Sequence, residues 1–175
     1  MSWDWRPILN PLPGSRGESL SSIVPGPRVK PQTVWWQGNL FTIKGRSAET
    51  GGALGLAEVH FNAGMATPLH VHHREDEAFY ILDGEIRFRR GDDEFTGGPG
   101  DFVFGPREVP HCFKVLDGGA RALVLITPAG MEEMFVEGGV PAHEGMVRPA
   151  MGYDMEKVTA LAVKYGWDVL GPPMA

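Results

Sequence analysis

The stretch Gly64-Met-Ala-Thr-Pro-Leu-His70-Val-His72-His-Arg-Glu-Asp-Glu77-Ala-Phe-Tyr-Ile-Leu-Asp-Gly84 holds two imidazoles two residues apart, followed by a carboxylate that opens a second apolar run. In a strand, side chains at i and i+2 share a face, so His70 and His72 can reach one ion while Val71 turns away. Glu77 begins the next strand, where its carboxylate can come alongside. Neutral imidazole and carboxylate form the donor set expected for Fe, Mn, Co, Ni, Cu or Zn. Three or four protein ligands leave coordination positions open for water or substrate.

Outward from this stretch, residues 34–128 break into short β-branched and aromatic runs: Val34 to Gln37, Leu40 to Lys44, Leu54 to Phe61, Glu77 to Leu82, Glu85 to Arg90, Phe102 to Phe104, Cys112 to Leu116 and Ala120 to Thr127. Turn residues separate them. Asp83-Gly84 reads as a type I′ hairpin, and Gly91-Asp92, Gly97-Gly98-Pro99-Gly100 and Asp117-Gly118-Gly119 mark further reversals. Many short strands at this spacing predict an all-β sandwich or barrel, whose closure hides sheet edges. Residues 1–33, rich in proline and poor in periodicity, read as an N-terminal extended arm. Residues 129–175 read as a C-terminal helical extension packed on the barrel. Within it, Met131 to Val136 is a short helix, and Asp154 caps a second whose apolar residues Met155, Val158, Leu161, Ala162 and Tyr165 keep helical spacing up to Gly166.

The first stretch resembles the cupin superfamily, whose first motif, G-x5-H-x-H-x4-E-x6-G, is met at every position by Gly64, His70, His72, Glu77 and Gly84. The second motif, G-x5-P-x-G-x2-H-x3-N, is met by Gly100, Pro106 and His111, with Glu108 where glycine is usual and Val115 where asparagine is usual. The resemblance implies a single-domain jelly-roll-type β-barrel and one divalent transition-metal ion held by His70, His72, Glu77 and His111. The single barrel, proline-rich lead-in and tail are similar in layout to quercetin 2,3-dioxygenase-like monocupins, which implies a dioxygenase acting on a flavonol or another enolisable aromatic.

Composition narrows the partners. The chain has 175 residues, of which 42% are hydrophobic, enough for one core. Its net charge of −6 carries no basic block or acidic tail, so neither a nucleic acid nor an anionic membrane is expected as partner. A lone cysteine, Cys112, allows no internal disulfide, and no signal-peptide pattern opens the chain, so a cytoplasmic location is expected. Trp3, Trp5, Trp35 and Trp36, in or beside the arm, predict a homodimer that covers them.

Each candidate residue has a plainer reading. The double motif outweighs it for the four ligands. His73, Glu75 and Asp76 read as solvated turn residues, His60 as a strand-end residue, and Cys112 as a buried thiol on the face opposite His111. Phe79, Ile81, Phe102 and Phe104 are candidates for an apolar substrate pocket, weighed against ordinary core. Glu77 is the candidate catalytic group, as ligand or as base toward a substrate hydroxyl. Beside the dioxygenase stand an O2-independent metal-dependent cyclase, decarboxylase or isomerase, and a non-catalytic small-molecule-binding cupin, because fold alone does not fix reaction.

Overall fold

Two long strands organise the molecule: β5 (Asp76–Arg90) and β8 (His111–Thr127) run antiparallel along each other for nearly their whole length. The computed structural model describes residues 30–149 and 154–175, so Trp3, Trp5 and most of the expected arm lie outside the described residues. Before the long pair come β1 (Gln32–Trp36), β2 (Asn39–Gly45), α1 (Ser47–Thr50), β3 (Gly55–Phe61) and β4 (Pro68–His72). Between its members lie β6 (Asp93–Gly97) and β7 (Phe102–Gly105). After it come α2 (Glu132–Gly138), β9 (Val140–Pro141), α3 (Met155–Tyr165) and β10 (Trp167–Pro173).

Each long strand serves two layers. The first half of β5 pairs with β7 and with the second half of β8, which pairs in turn with β3, and β2 and β1 extend this layer. The second half of β5 pairs with β6 and with the first half of β8, beside which lie β4 and then β10. The two halves enclose one core containing Ile43, Val59, Ile81, Ile86, Val115, Val124 and Ile126. All strand pairs are antiparallel, as the jelly-roll expectation required.

The bends between the halves correct two expectations. Asp83-Gly84 and Asp117-Gly118-Gly119 are not hairpin ends, because β5 and β8 run straight through them with a register shift at each side of Asp83-Gly84. Gly84 has φ +76°, and a Cβ there would lie 2.1 Å from the Gly119 carbonyl oxygen, so glycine permits both the left-handed backbone and the close crossing. The reversal at Gly91-Asp92 does join β5 to β6, whereas residues 97–101, expected as a further reversal, only bend the chain between β6 and β7, which run in the same direction along β5.

The C-terminal extension is more than an outer pack of helices. Asp154 caps α3 by accepting from Lys157 N at 3.0 Å, and Gly166 ends it in the left-handed region, as the spacing predicted. The chain then turns into β10, which adds an edge to β4, while β9 pairs with β1. Val158, Leu161, Met134 and Phe135 of the two helices are part of the core. Phe135 packs on Phe41 with ring centroids 4.4 Å apart. Trp36 is buried beneath α2 and is a core residue, so it does not call for a partner subunit. Among the described residues no helix is long and apolar enough to cross a membrane.

Candidate metal centre

Strand alternation sets the first two donors on one face, and register sets the rest. His70 and His72 sit on β4, and His111 opens β8 directly opposite His70. Glu77, the second residue of β5, faces the same interior. One donor atom from each of the four lies within 4.8 Å of the other three, and all four residues are buried. The imidazole centroids form a tight triangle, with His70 4.9 Å from His72 and 4.5 Å from His111, and His72 5.2 Å from His111.

Backbone carbonyls orient two of the rings. Nδ1 of His70 lies 2.8 Å from the Pro68 carbonyl oxygen and Nδ1 of His111 lies 2.9 Å from that of Val109. With Nδ1–H donating there, each ring keeps a neutral Nε2 with its lone pair free to ligate. The Glu77 carboxylate lies 3.4 Å from Nε2 of His111 and 3.8 Å from Nε2 of His72. Neither ring nitrogen of His72 has a hydrogen-bond partner among the described residues. A buried unpaired nitrogen is costly, and one ion at the centre of the cluster would satisfy it. Three imidazoles and a carboxylate thus fit a first-row transition-metal ion in number, type and placement.

The electrostatics favour the ligating forms of His70, His72 and Glu77. Burial pushes His70 down to about 3, helped by the neighbouring His111 and His72, and pushes His72 down to about 4. Burial acts to raise Glu77, but the hydrogen bond with His111 and the surrounding imidazoles outweigh it and hold the carboxyl below its usual range. The same pairing lifts His111 above its ordinary value despite burial.

Beside the cluster is a cavity of about 80 Å3, with His70, His72 and Glu77 in its wall. The rest of the wall is nearly all apolar. Phe61, Phe79 and Phe113 come from the barrel, and Met131, Met134, Phe135, Val158 and Trp167 from the C-terminal extension. Of the residues expected in the pocket, Phe79 lines it, while Ile81 is fully buried in the core and absent from the wall. Phe102 and Phe104 are corrected. Val103 pairs with the inward Phe79, so its neighbours on β7 face solvent, with 61% and 41% of their surfaces exposed.

The neighbouring polar residues divide. His73 is an exposed bridge to Glu108 and Asp168, each 3.1 Å away, and Asp76 pairs with Arg107 at 2.9 Å. His60 stands outside near Glu58, and Cys112 is buried away from the cavity. Glu75 is the exception: it is 1% exposed, neither carboxylate oxygen has a hydrogen-bond partner among the described residues although Arg74 Nε lies 3.7 Å from Oε1, and burial raises its pKa. Its place in a short charged connection gave no sign of this. Glu108 adopts φ +62°, so the glycine usual there reflects a left-handed turn that this chain makes with a side chain present.

Residues 57–127 match the sequence profile of the Cupin_2 family, described as a cupin domain. The barrel has the cupin fold. Over 68 residues the chain is 41% identical to dimethylsulfoniopropionate lyase DddQ of Ruegeria pomeroyi, a match covering 38% of this chain and 33% of that protein, so it spans about a third of the curated relative. Among solved structures, KdgF from Halomonas sp. aligns with a TM-score of 0.51 at 21% identity, covering 60% of this chain and 91% of KdgF. Oxalate decarboxylase from Bacillus subtilis aligns with a TM-score of 0.51 at 21% identity, covering 57% of this chain and 28% of that one. At these identities the two structures establish the fold alone. The cupin match ends before the C-terminal extension, and Trp167, like Phe61, Phe113, Met134 and Phe135, is a wall residue that sequence reasoning missed. Its signal was faint: a tryptophan directly after a helix-stopping glycine, followed by the short run Asp168-Val169-Leu170.

Proposed function

We propose that the chain is a metal-dependent enzyme that holds one divalent transition-metal ion through His70, His72, Glu77 and His111 and transforms a small organic molecule in the adjoining cavity. The observation that carries this reading is the convergence of four buried donors at the wall of an apolar cavity, with both His72 nitrogens unpartnered. Bound there, the ion would supply a Lewis acid with open coordination positions. His70 and His111, fixed by their backbone acceptors, present Nε2 without reorganisation. The depressed pKa of Glu77 keeps it ionised near neutral pH, which suits a ligand better than a general base. Apolar walls exclude water and strengthen polar contacts made inside.

Bond cleavage without O2, of the lyase type, is the reaction class we favour. Two features support it. The stretch of 41% identity is shared with a protein named as a lyase, and the cavity of about 80 Å3 suits a small organic ligand. The aromatic wall of Phe61, Phe79 and Phe113 supports the second reading, a dioxygenase for a flavonol or another enolisable aromatic. The deciding experiment screens short-chain carboxylates and enolisable carbonyl compounds with metal-loaded protein under nitrogen and in air. Anaerobic turnover that splits one substrate into two products establishes the lyase class, O2 uptake in step with product establishes the dioxygenase, and no turnover of any compound leaves a binding protein.

A further inference from the structure

Trp167 combines burial, position and an unanswered hydrogen bond. Only 6% of its surface is exposed, it lines the cavity, and its indole N–H has no acceptor among the described residues. It opens β10 opposite His72 in the register, so both side chains share a face. Its ring lies 5.4 Å from that of His70 and 5.8 Å from that of His72. An indole N–H can only donate, so what completes it must be an acceptor. The wall around it contains a single charged side chain, Glu77. A divalent ion with one carboxylate leaves a net positive charge in apolar surroundings, which favours an anionic ligand.

We propose that Trp167 donates its indole N–H to a carboxylate oxygen of the substrate, making this strand beyond the cupin-matched segment the element that selects a small monocarboxylate and orients it beside the metal centre. The inference rests on the metal-centre reading above. The indole acts as a specificity and positioning group: it holds the ligand's carboxylate next to the cluster. Hydrogen bonds to charged acceptors are stronger than neutral ones, so the preference for carboxylate over alcohol should depend on this N–H.

The test uses the full chain loaded with zinc, with metal content measured first. In 15N-labelled protein the Trp167 indole resonance is identified by its absence from Trp167→Phe, a change that keeps an aromatic ring and removes the donor. Propionate should shift that resonance in the wild type and bind Trp167→Phe roughly tenfold or more weakly. Zinc content should be equal in both proteins, and 1-propanol should bind both alike. Propionate binding both proteins equally, leaving the resonance unmoved, or failing to bind zinc-loaded wild type would overturn the proposal and leave the metal centre standing. Wild type that takes up no zinc would overturn the metal centre itself, and this proposal with it. If Trp167→Phe fails to fold, the wild-type resonance, assigned through its contacts with His72, decides alone.

Discussion

The cupin segment and the C-terminal extension both line one cavity, by different means. The cupin segment supplies all four donors from β4, β5 and β8, each fixed by strand register and two of them by backbone carbonyls. The extension supplies no donor to the cluster, only apolar wall and one indole N–H. The candidate metal chemistry therefore sits in the cupin-matched strands, while the cavity's shape is set jointly by those strands and by the extension. A single ion site can serve different substrates if the covering element changes, which is how one fold hosts many reactions.

The comparison breaks first at the ligands. His70→Ala, His72→Ala or His111→Ala should each weaken metal binding beyond the roughly 10–100-fold that loss of a supporting hydrogen-bond partner costs, read by competition with a chromophoric chelator. Retained wild-type affinity in any of the three would remove that residue from the centre. Within the extension the effect should fall on stability. Phe135→Ala removes a buried ring packed on Phe41, and should cost about 3–5 kcal/mol in denaturant unfolding of the metal-free chain. A loss under about 1 kcal/mol would mean that α2 is not an integral part of the core.

Glu77→Gln should be milder for binding than any histidine change, because the amide oxygen still coordinates weakly, and should lower turnover through the altered charge of the centre. Acid sharpens the same contrast. His70 and His72 are held at about 3 and about 4 in the fold, below their ordinary 6.5, so between these values the unfolded chain takes up protons that the fold refuses. Their contribution to stability is intact above about pH 6.5 and lost as pH falls toward 4 and then 3. His111, raised by Glu77, acts in a different window: its contribution is complete below about pH 6.5 and is lost as pH rises through its folded value, so it does not soften the fall. The melting temperature of the metal-free chain should therefore fall through the window of His70 and His72. Bound metal adds stability near pH 7.5, and the gap between loaded and metal-free melting temperatures should narrow first as protons compete for His111 and close only toward pH 4 to 3, where they compete for His72 and His70 as well.

Much of the metal centre was legible because its cause is local. Spacing of two along a strand fixes where His70 and His72 point, and the second motif delivers His111 to the neighbouring strand. The parity of β5 likewise turned Phe79 and Ile81 inward. Phe102 and Phe104 were misread because parity on β7 is set by its pairing with β5, which the short run itself does not encode. Gly84 and Gly118-Gly119 were taken for chain reversals because a left-handed glycine serves a bend and a hairpin equally well. Helix α3 was readable from its cap, spacing and stop, whereas β10 joins an edge fixed only by tertiary structure. Glu75 carries no sequence sign of burial, since its surroundings come from distant segments.

The central claim, that His70, His72, Glu77 and His111 hold one metal ion, is tested most directly by titrating the metal-free chain with cobalt(II) and following the visible ligand-field spectrum. The account predicts saturation at one equivalent per chain, with the spectrum lost in His111→Ala and kept in Trp167→Phe. No cobalt spectrum in the wild type, or an unchanged one in His111→Ala, would contradict it.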